Sequence, residues 1–193
     1  MHYFYTCKLI TGMRKLEIEE LGRMSAELYE SSVKLPLTVV LDDVRSMYNV
    51  GSVFRTSDSF RIERIILCGI TATPENSSVE IHKTALGAEN TVDWYYEENI
   101  MDAAGRLSDA GYTLIAVEQV ESSIRLENFK VSNDTKYAII LGNEVKGVKQ
   151  SVVDMCKIAI EIPQFGTKHS LNVSVSAGIV IWEFARQMMD VLV

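Results

Sequence analysis

The chain is short of basic charge, of cysteine and of long apolar runs. Its 19 lysines and arginines face 26 aspartates and glutamates, a formal net charge of −7. That argues against a generic nucleic-acid coat, yet leaves room for a focused site, because binding follows local charge. No apolar run nears the roughly 18 residues that span a bilayer. The first ten residues lack the basic n-region and small-residue cleavage site of a secretion signal. The three cysteines, Cys7, Cys68 and Cys156, are far apart and lack metal-ligand spacing. A reduced, cytoplasmic protein without a metal centre is expected.

Several motifs are missing. No G-x-G-x-x-G follows a strand pattern, so an ordinary dinucleotide-binding unit is unsupported. No Walker loop occurs. Ser170 and His169 sit outside any G-x-S-x-G elbow, and adjacent side chains point apart, which disfavours a serine hydrolase. His82 and His169 have no partner ligands in sequence.

What is present is a chain of 193 residues, 47% hydrophobic. That suffices for one packed α/β domain. Residues 13–32 read as a helix, with Leu16, Leu21, Met24 and Leu28 near one face. Residues 1–12 have no clear period, and Met13 is a possible alternative start. Pro36 then breaks the pattern. Strands are expected at residues 37–41, 64–68, 112–117, 137–141 and 158–162. Helices are expected at 49–60, 100–110, 148–155 and 172–189, with a polar loop at 71–80. Residues 37–41, LTVVL, are apolar without alternation, as buried parallel strands are. The alternation of strand and helix predicts an α/β fold, a mostly parallel sheet with helices on both faces. The chain divides into an N-terminal extension with one helix, residues 1–36, and a domain over 37–193.

Three polar loops follow strands. The first carries Asn49, Gly51 and Arg55, with Asn49 suited to cap a helix and Gly51 to admit another backbone or a ligand. The second is Gly142-Asn143-Glu144-Val145-Lys146-Gly147. The third runs from Ile162-Pro163 to Ser170-Leu171-Asn172, where Ser170 and Asn172 are good N-caps for the last helix. Each also suits a plain structural duty: a capped helix, an exposed helix arginine, a solvated turn. Loops at strand carboxyl ends gather at one sheet edge, where α/β proteins place ligands. The second and third loops come from consecutive strands, so their approach is expected. Spacing cannot say whether the first joins them.

At these loops the chain resembles the SpoU (TrmH-type) RNA 2′-O-ribose methyltransferases of the SPOUT superfamily. The N-x-G-x-x-x-R motif is Asn49, Gly51 and Arg55. The G-N-E motif with a later glycine is Gly142, Asn143, Glu144 and Gly147. The I-P and S-L-N-V-S motif is Ile162, Pro163, Ser170, Leu171, Asn172, Val173 and Ser174. Order and spacing agree over about residues 37–190. The chain departs at Phe60-Arg61, where many members have glycine, and at Gln164, where methionine is common. About 36 residues precede the first expected strand, too few for the RNA-binding domain that many relatives carry.

The resemblance implies a deep trefoil knot in the C-terminal part and a homodimer through the last helix. It implies S-adenosylmethionine as methyl donor, in a cleft formed by Leu141, Gly142, Asn143, Gly147, Ile162 and Leu171. It implies Arg55, Asn49, Glu144, Ser170 and Asn172 as catalytic residues acting on a ribose hydroxyl of tRNA or rRNA, with no metal. A guanidinium stays protonated, so Arg55 is expected to clamp phosphate and stabilise an alkoxide. Arg45, Arg61, Lys146, Lys149, Lys168 and His169 are candidates for a local basic, RNA-facing rim. A catalytically silent RNA-binding module of the same fold is the alternative.

Overall fold

The computed structural model describes residues 13–192, so the reading of residues 1–12 as an extension without a secretion signal lies outside them. The chain before Ser32 forms a unit of its own. In place of one helix over 13–32 it has a 3-10 turn, Ile18–Leu21, and a six-residue helix α1, Ala26–Ser31. Gly22 ends the turn in the left-handed region at φ 59°. Leu16, Leu21, Met24 and Leu28, whose spacing suggested a helix, stay exposed.

From Ser32 onward the chain builds a seven-stranded sheet. Its strands are β1 Leu35–Asp42, β2 Ile62–Cys68, β3 Trp94–Glu97, β4 Thr113–Val117, β5 Ile124–Arg125, β6 Tyr137–Leu141 and β7 Ile158–Glu161. The spatial order is β3-β2-β1-β6-β4-β7-β5, and every pairing is parallel. The expected mostly parallel sheet is wholly parallel. Two strands escaped the sequence reading: β3 is four residues long and β5 is two. Neither carries the near-continuous burial of β1 and β6.

The helices are α2 Met47–Ser59, α3 Ser78–Ala85, α4 Ile100–Asp109, α5 Gln150–Met155, α6 Val173–Gln187 and α7 Met189–Leu192. Helix α3 falls partly inside the stretch expected to be loop. The last helix breaks at Met188 instead of running through residue 189. Alternate strand residues face opposite sides of the sheet. Val40, Ile66, Ala138 and Ile140 pack with Ala103, Ala104 and Leu107 of α4 and Val152 of α5. On the other side Tyr137 of β6 meets Phe184 of α6 edge to face, ring centres 5.4 Å apart. Helix α2 packs along α6 there. Helices therefore cover both faces. Among the described residues no helix is long and apolar enough to cross a membrane.

The strand order decides where a site can form. The chain lays β2 and β3 on one side of β1, and β6, β4, β7 and β5 on the other. The order reverses at β1, and a crevice opens at the strand carboxyl ends where such a reversal occurs.

Candidate active site

The loop after β1 meets the loop after β6 because these strands are neighbours, Leu41 opposite Leu141. Strands β6 and β7 are not neighbours, since β4 lies between them. The second and third loops nevertheless approach as expected, since both line one cleft, and the strand order adds the first loop directly beside the second.

Glu144 ties the first two loops together. One carboxylate oxygen accepts from the Arg45 N–H at 3.1 Å. The other accepts from the Ser46 N–H at 3.2 Å and from Asn49 Nδ2 at 3.1 Å. Burial pushes the Glu144 carboxyl up, but these donors outweigh it and hold it below the ordinary range. The Asn49 carboxamide passes the link to the third loop. Its Oδ1 accepts from Asn172 Nδ2 at 3.1 Å and from Ser174 Oγ at 3.4 Å. Asn172 Oδ1 in turn accepts from the Ser174 N–H and hydroxyl, at 2.9 and 2.7 Å, as the N-cap of α6.

The structure corrects one local expectation, the α2 cap, and decides between the alternatives in two others. Ser46, not Asn49, caps α2, and its hydroxyl accepts from the Asn49 N–H. Asn49 lies in the first turn, which frees its side chain to bridge loops. Asn172 caps α6, whereas Ser170 stands two residues earlier with its side chain exposed. Gly51 admits backbone and not ligand: a Cβ there would lie 2.3 Å from the Ile81 carbonyl oxygen of α3.

Asn143 closes the second loop on itself. Its backbone exchanges both hydrogen bonds with Gly147, at 3.2 and 2.8 Å, and its Nδ2 donates to the Asp43 carbonyl at 2.8 Å. A Cβ on Gly142 would stand 2.1 Å from the Gly147 carbonyl oxygen. The close approach that Gly142 permits is therefore the loop's own backbone. Gly147 has φ +66°, and a Cβ there would meet the Glu118 carboxylate at 2.1 Å.

Between these loops and the ends of β4 and β7 lies a cleft of about 430 Å³. Leu141, Gly142, Asn143, Gly147, Ile162 and Leu171 all line it, as do Glu144, Lys146, His169 and Ser170. Arg55 is not part of its wall. It projects from α2 into solvent, and among the described residues no carboxylate pairs with it.

The basic candidates separate. Arg45 and Lys168 are exposed on the first and third loops, and Lys146 and His169 border the cleft. Arg61 does not join them. It precedes β2, at the opposite sheet edge, and its guanidinium donates to the Leu192 carbonyl. Lys149 is committed as well, 3.1 Å from Asp42 and 2.8 Å from Asp43. Asp42 is 1% exposed, and burial pushes its carboxyl up while Lys149 pulls it back. Lys149 holds the Asp43 carboxyl down.

Two residues at the cleft were missed. Glu118 accepts from the Val148 N–H at 2.9 Å and from the Gln119 N–H at 2.8 Å. Gln119 Nε2 donates to the His169 carbonyl at 3.0 Å, tethering the third loop to β4. The signal lay in polar residues directly after a buried strand.

A parallel α/β protein whose polar loops meet around a cleft at the strand carboxyl ends is the class that this fold and site define. Residues 36–182 match the model of the SpoU rRNA Methylase family, and the chain belongs to that family. It is 34% identical over 150 residues to an uncharacterized tRNA/rRNA methyltransferase of Borreliella burgdorferi, covering 78% of this chain and 64% of that protein. It is 29% identical over 161 residues to the 23S rRNA (guanosine-2′-O-)-methyltransferase RlmB of Neisseria meningitidis, covering 83% and 62%. The chain thus spans 62–64% of the length of these two curated relatives. Among solved structures it resembles an AdoMet-bound rRNA methyltransferase of Sinorhizobium meliloti, with TM-score 0.73 and 25% identity over 86% of this chain and 62% of that one. The TrmH/SpoU tRNA modifying enzyme of A. aeolicus shares the fold, with TM-score 0.73 at 24% identity over 86% of this chain and 81% of that one.

Proposed function

We propose that the chain is a methyltransferase that uses S-adenosylmethionine to modify a ribose 2′-hydroxyl in tRNA or rRNA. The observation that carries this reading is the relay from Glu144 through Asn49 to Asn172 and Ser174, which draws all three loops to one side of the cleft. Such a web of bonds between distant loops preorganises a site.

The cleft suits the cofactor. Its volume of about 430 Å³ falls in the range of small-molecule sites. Leu141, Ile162 and Leu171 offer apolar surface for a nucleoside base, and the Gly142–Gly147 loop offers backbone groups beside it. The bound cofactor supplies an electrophilic methyl group. Arg55, a cation unpaired among the described residues, clamps the RNA phosphate and stabilises the alkoxide that develops as the ribose hydroxyl's proton passes to solvent. Glu144 and Asn49 hold the loop from which α2 carries Arg55. Ser170 and Asn172 position the ribose and the cofactor's methionine end. Arg45, Lys146, Lys168 and His169 provide a local basic rim on an acidic protein. No metal is required.

The reading includes the C-terminal trefoil knot, a cytoplasmic setting and a homodimer through α6. Supporting the homodimer, Val175, Ile179 and Trp182 are exposed at spacings that put them on one face of α6, with Trp182 at 45%. Residues 37–193 form the catalytic domain.

Calorimetry with S-adenosylmethionine and S-adenosylhomocysteine tests the cofactor, and mapping ribose methyl sites in RNA from cells with and without the protein tests the activity. Binding of either ligand together with a lost methyl site is expected. Failure of both ligands to bind folded protein defeats the enzyme reading and favours a silent RNA-binding module.

A further inference from the structure

A second cavity, of about 460 Å³, opens at the carboxyl ends of β2 and β3 and is lined by Gly69, Ile70, Thr71, Thr73, Glu75, Asn76 and Tyr96. It shares the sheet edge with the cleft but none of its lining residues. We propose that this cavity binds an unstacked guanine base of the RNA strand, flanking the nucleotide whose ribose is methylated. The proposal rests on the methyltransferase reading for the identity of the RNA.

The cavity is built to present apolar surface rigidly. Ile70 is 66% exposed and Tyr96 is 45% exposed. A large aliphatic chain held in water at a tight turn is costly unless something covers it. The turn cannot relax to hide it. Gly69 has φ +61°, the Ile70 N–H donates to Asp43 Oδ1 at 3.0 Å, and the Thr71 N–H donates to the Cys68 carbonyl at 3.2 Å. The Tyr96 hydroxyl donates to the Gly69 carbonyl at 2.9 Å, which fixes the ring beside the turn. Ring and aliphatic chain together make a stacking platform of the kind that takes single-stranded bases.

The polar groups select the base. Among the described residues no lysine or arginine lines the cavity, and the Glu75 carboxylate at its wall disfavours a phosphate there by like charge. Glu75 is exposed at the wall of the cavity, and its carboxylate makes no ion pair or hydrogen bond among the described residues. Asn76 Oδ1 is occupied by the Thr73 N–H at 2.9 Å, which leaves the Nδ2 hydrogens to donate. A free carboxylate acceptor beside a free amide donor complements guanine, whose N1–H and N2–H donate and whose O6 accepts. Adenine offers only one donor to the carboxylate at its pairing edge.

The cavity is mechanically joined to the candidate active site. Asp43 accepts from Ile70 with its side chain and from Asn143 Nδ2 with its carbonyl. Thr71 Oγ1 donates to the Leu41 carbonyl at 3.1 Å and accepts from the Val44 N–H at 3.0 Å. The loop after β1 therefore braces the turn that carries Ile70 on one flank and presents Glu144's partners on the other. Three to four strand spacings separate the cavity from the cleft, roughly 17 Å, within reach of a short single-stranded segment.

The test uses two 5′-fluorescein ribo-heptamers, UUUGUUU and UUUAUUU, titrated with the full chain by fluorescence anisotropy. The wild type is expected to bind the G heptamer about tenfold more tightly than the A heptamer. Glu75→Gln is expected to bring the two within about twofold, and Ile70→Asp to weaken both. S-adenosylhomocysteine affinity, measured on the same samples, is expected to stay unchanged in both variants and to report intact folding. Equal binding of the two heptamers by the wild type, or undiminished binding by Ile70→Asp, overturns the guanine site. Loss of S-adenosylhomocysteine binding by the wild type itself overturns the methyltransferase reading and leaves the heptamer comparison to decide the cavity separately.

Discussion

Glu144 and Asn49 lie 95 residues apart in sequence and share a hydrogen bond of 3.1 Å. The same carboxylate also holds two backbone N–H groups. Glu144→Gln turns one acceptor into a donor facing donors. It is expected to cost about 1 kcal/mol of stability, discounted for the exposure of the site, and much more of the transfer rate. The donors hold the Glu144 carboxyl low, so its contribution is complete above the ordinary carboxylate range. That contribution fades as pH falls through the lowered value. Thermal melts of wild type and variant should converge in acid; a constant gap across pH would refute this role.

Lys149 and Asp42 give a second pH-dependent case, with the opposite sign. Burial raises the Asp42 carboxyl, so ionising it weakens the fold as pH rises, and Lys149 offsets that cost. Lys149→Met is expected to destabilise by about 1 kcal/mol near neutral pH, less than for a fully buried pair because the lysine is half exposed to solvent. The deficit should shrink as pH falls and Asp42 takes up a proton. Adding Asp42→Asn should recover part of the loss. A deficit independent of pH in urea melts would show that Lys149 acts through packing and not charge.

The apolar runs LTVVL and YAIIL were legible as strands because both faces of β1 and β6 are buried, which removes alternation from the pattern. The last helix was legible from its cap and apolar content. The helix expected over 13–32 failed because the spacing of Leu16, Leu21, Met24 and Leu28 is only a pattern, and Gly22 breaks it with a left-handed residue. Strand β3 was hidden because a short edge strand needs little continuous apolar sequence. The loop residues were visible as polar groups after strands, but their partners were not. Strand order puts β6 beside β1, and no local property encodes that. Arg61 and Lys149 looked like free cations for the same reason: their partners, Leu192 and Asp42, are 131 and 107 residues away.

The exposed face of α6 leads to a prediction about assembly. Trp182 packs against Phe60, ring centres 5.7 Å apart, yet stays 45% exposed beside Ile179. Trp182→Glu places a charge in the middle of that face. Sedimentation at micromolar concentration is expected to find a dimer for the wild type and a monomer for the variant, with transfer lost if the site draws on both subunits. A monomeric wild type would remove α6 as an interface.

Arg55 offers the sharpest test of the chemistry. It stands on α2, six residues beyond the Asn49 that Glu144 grips, and it takes no part in the cleft wall. An arginine in solvent contributes little to folding, so Arg55→Ala should leave the melting temperature nearly unchanged. Cofactor affinity should stay within a few-fold, because the cleft residues are untouched. Transfer should fall by about a hundredfold or more, the cost of removing a group that stabilises charge in the transition state. Arg55→Lys should also be poor, since an ammonium cannot reproduce a planar fork on phosphate. Single-turnover transfer to the unmethylated substrate RNA, with separate calorimetry of S-adenosylhomocysteine, reads rate and binding independently. Near-normal transfer by Arg55→Ala would take Arg55 out of the reaction, and an equal fall in rate and cofactor affinity would make it a part of the cleft.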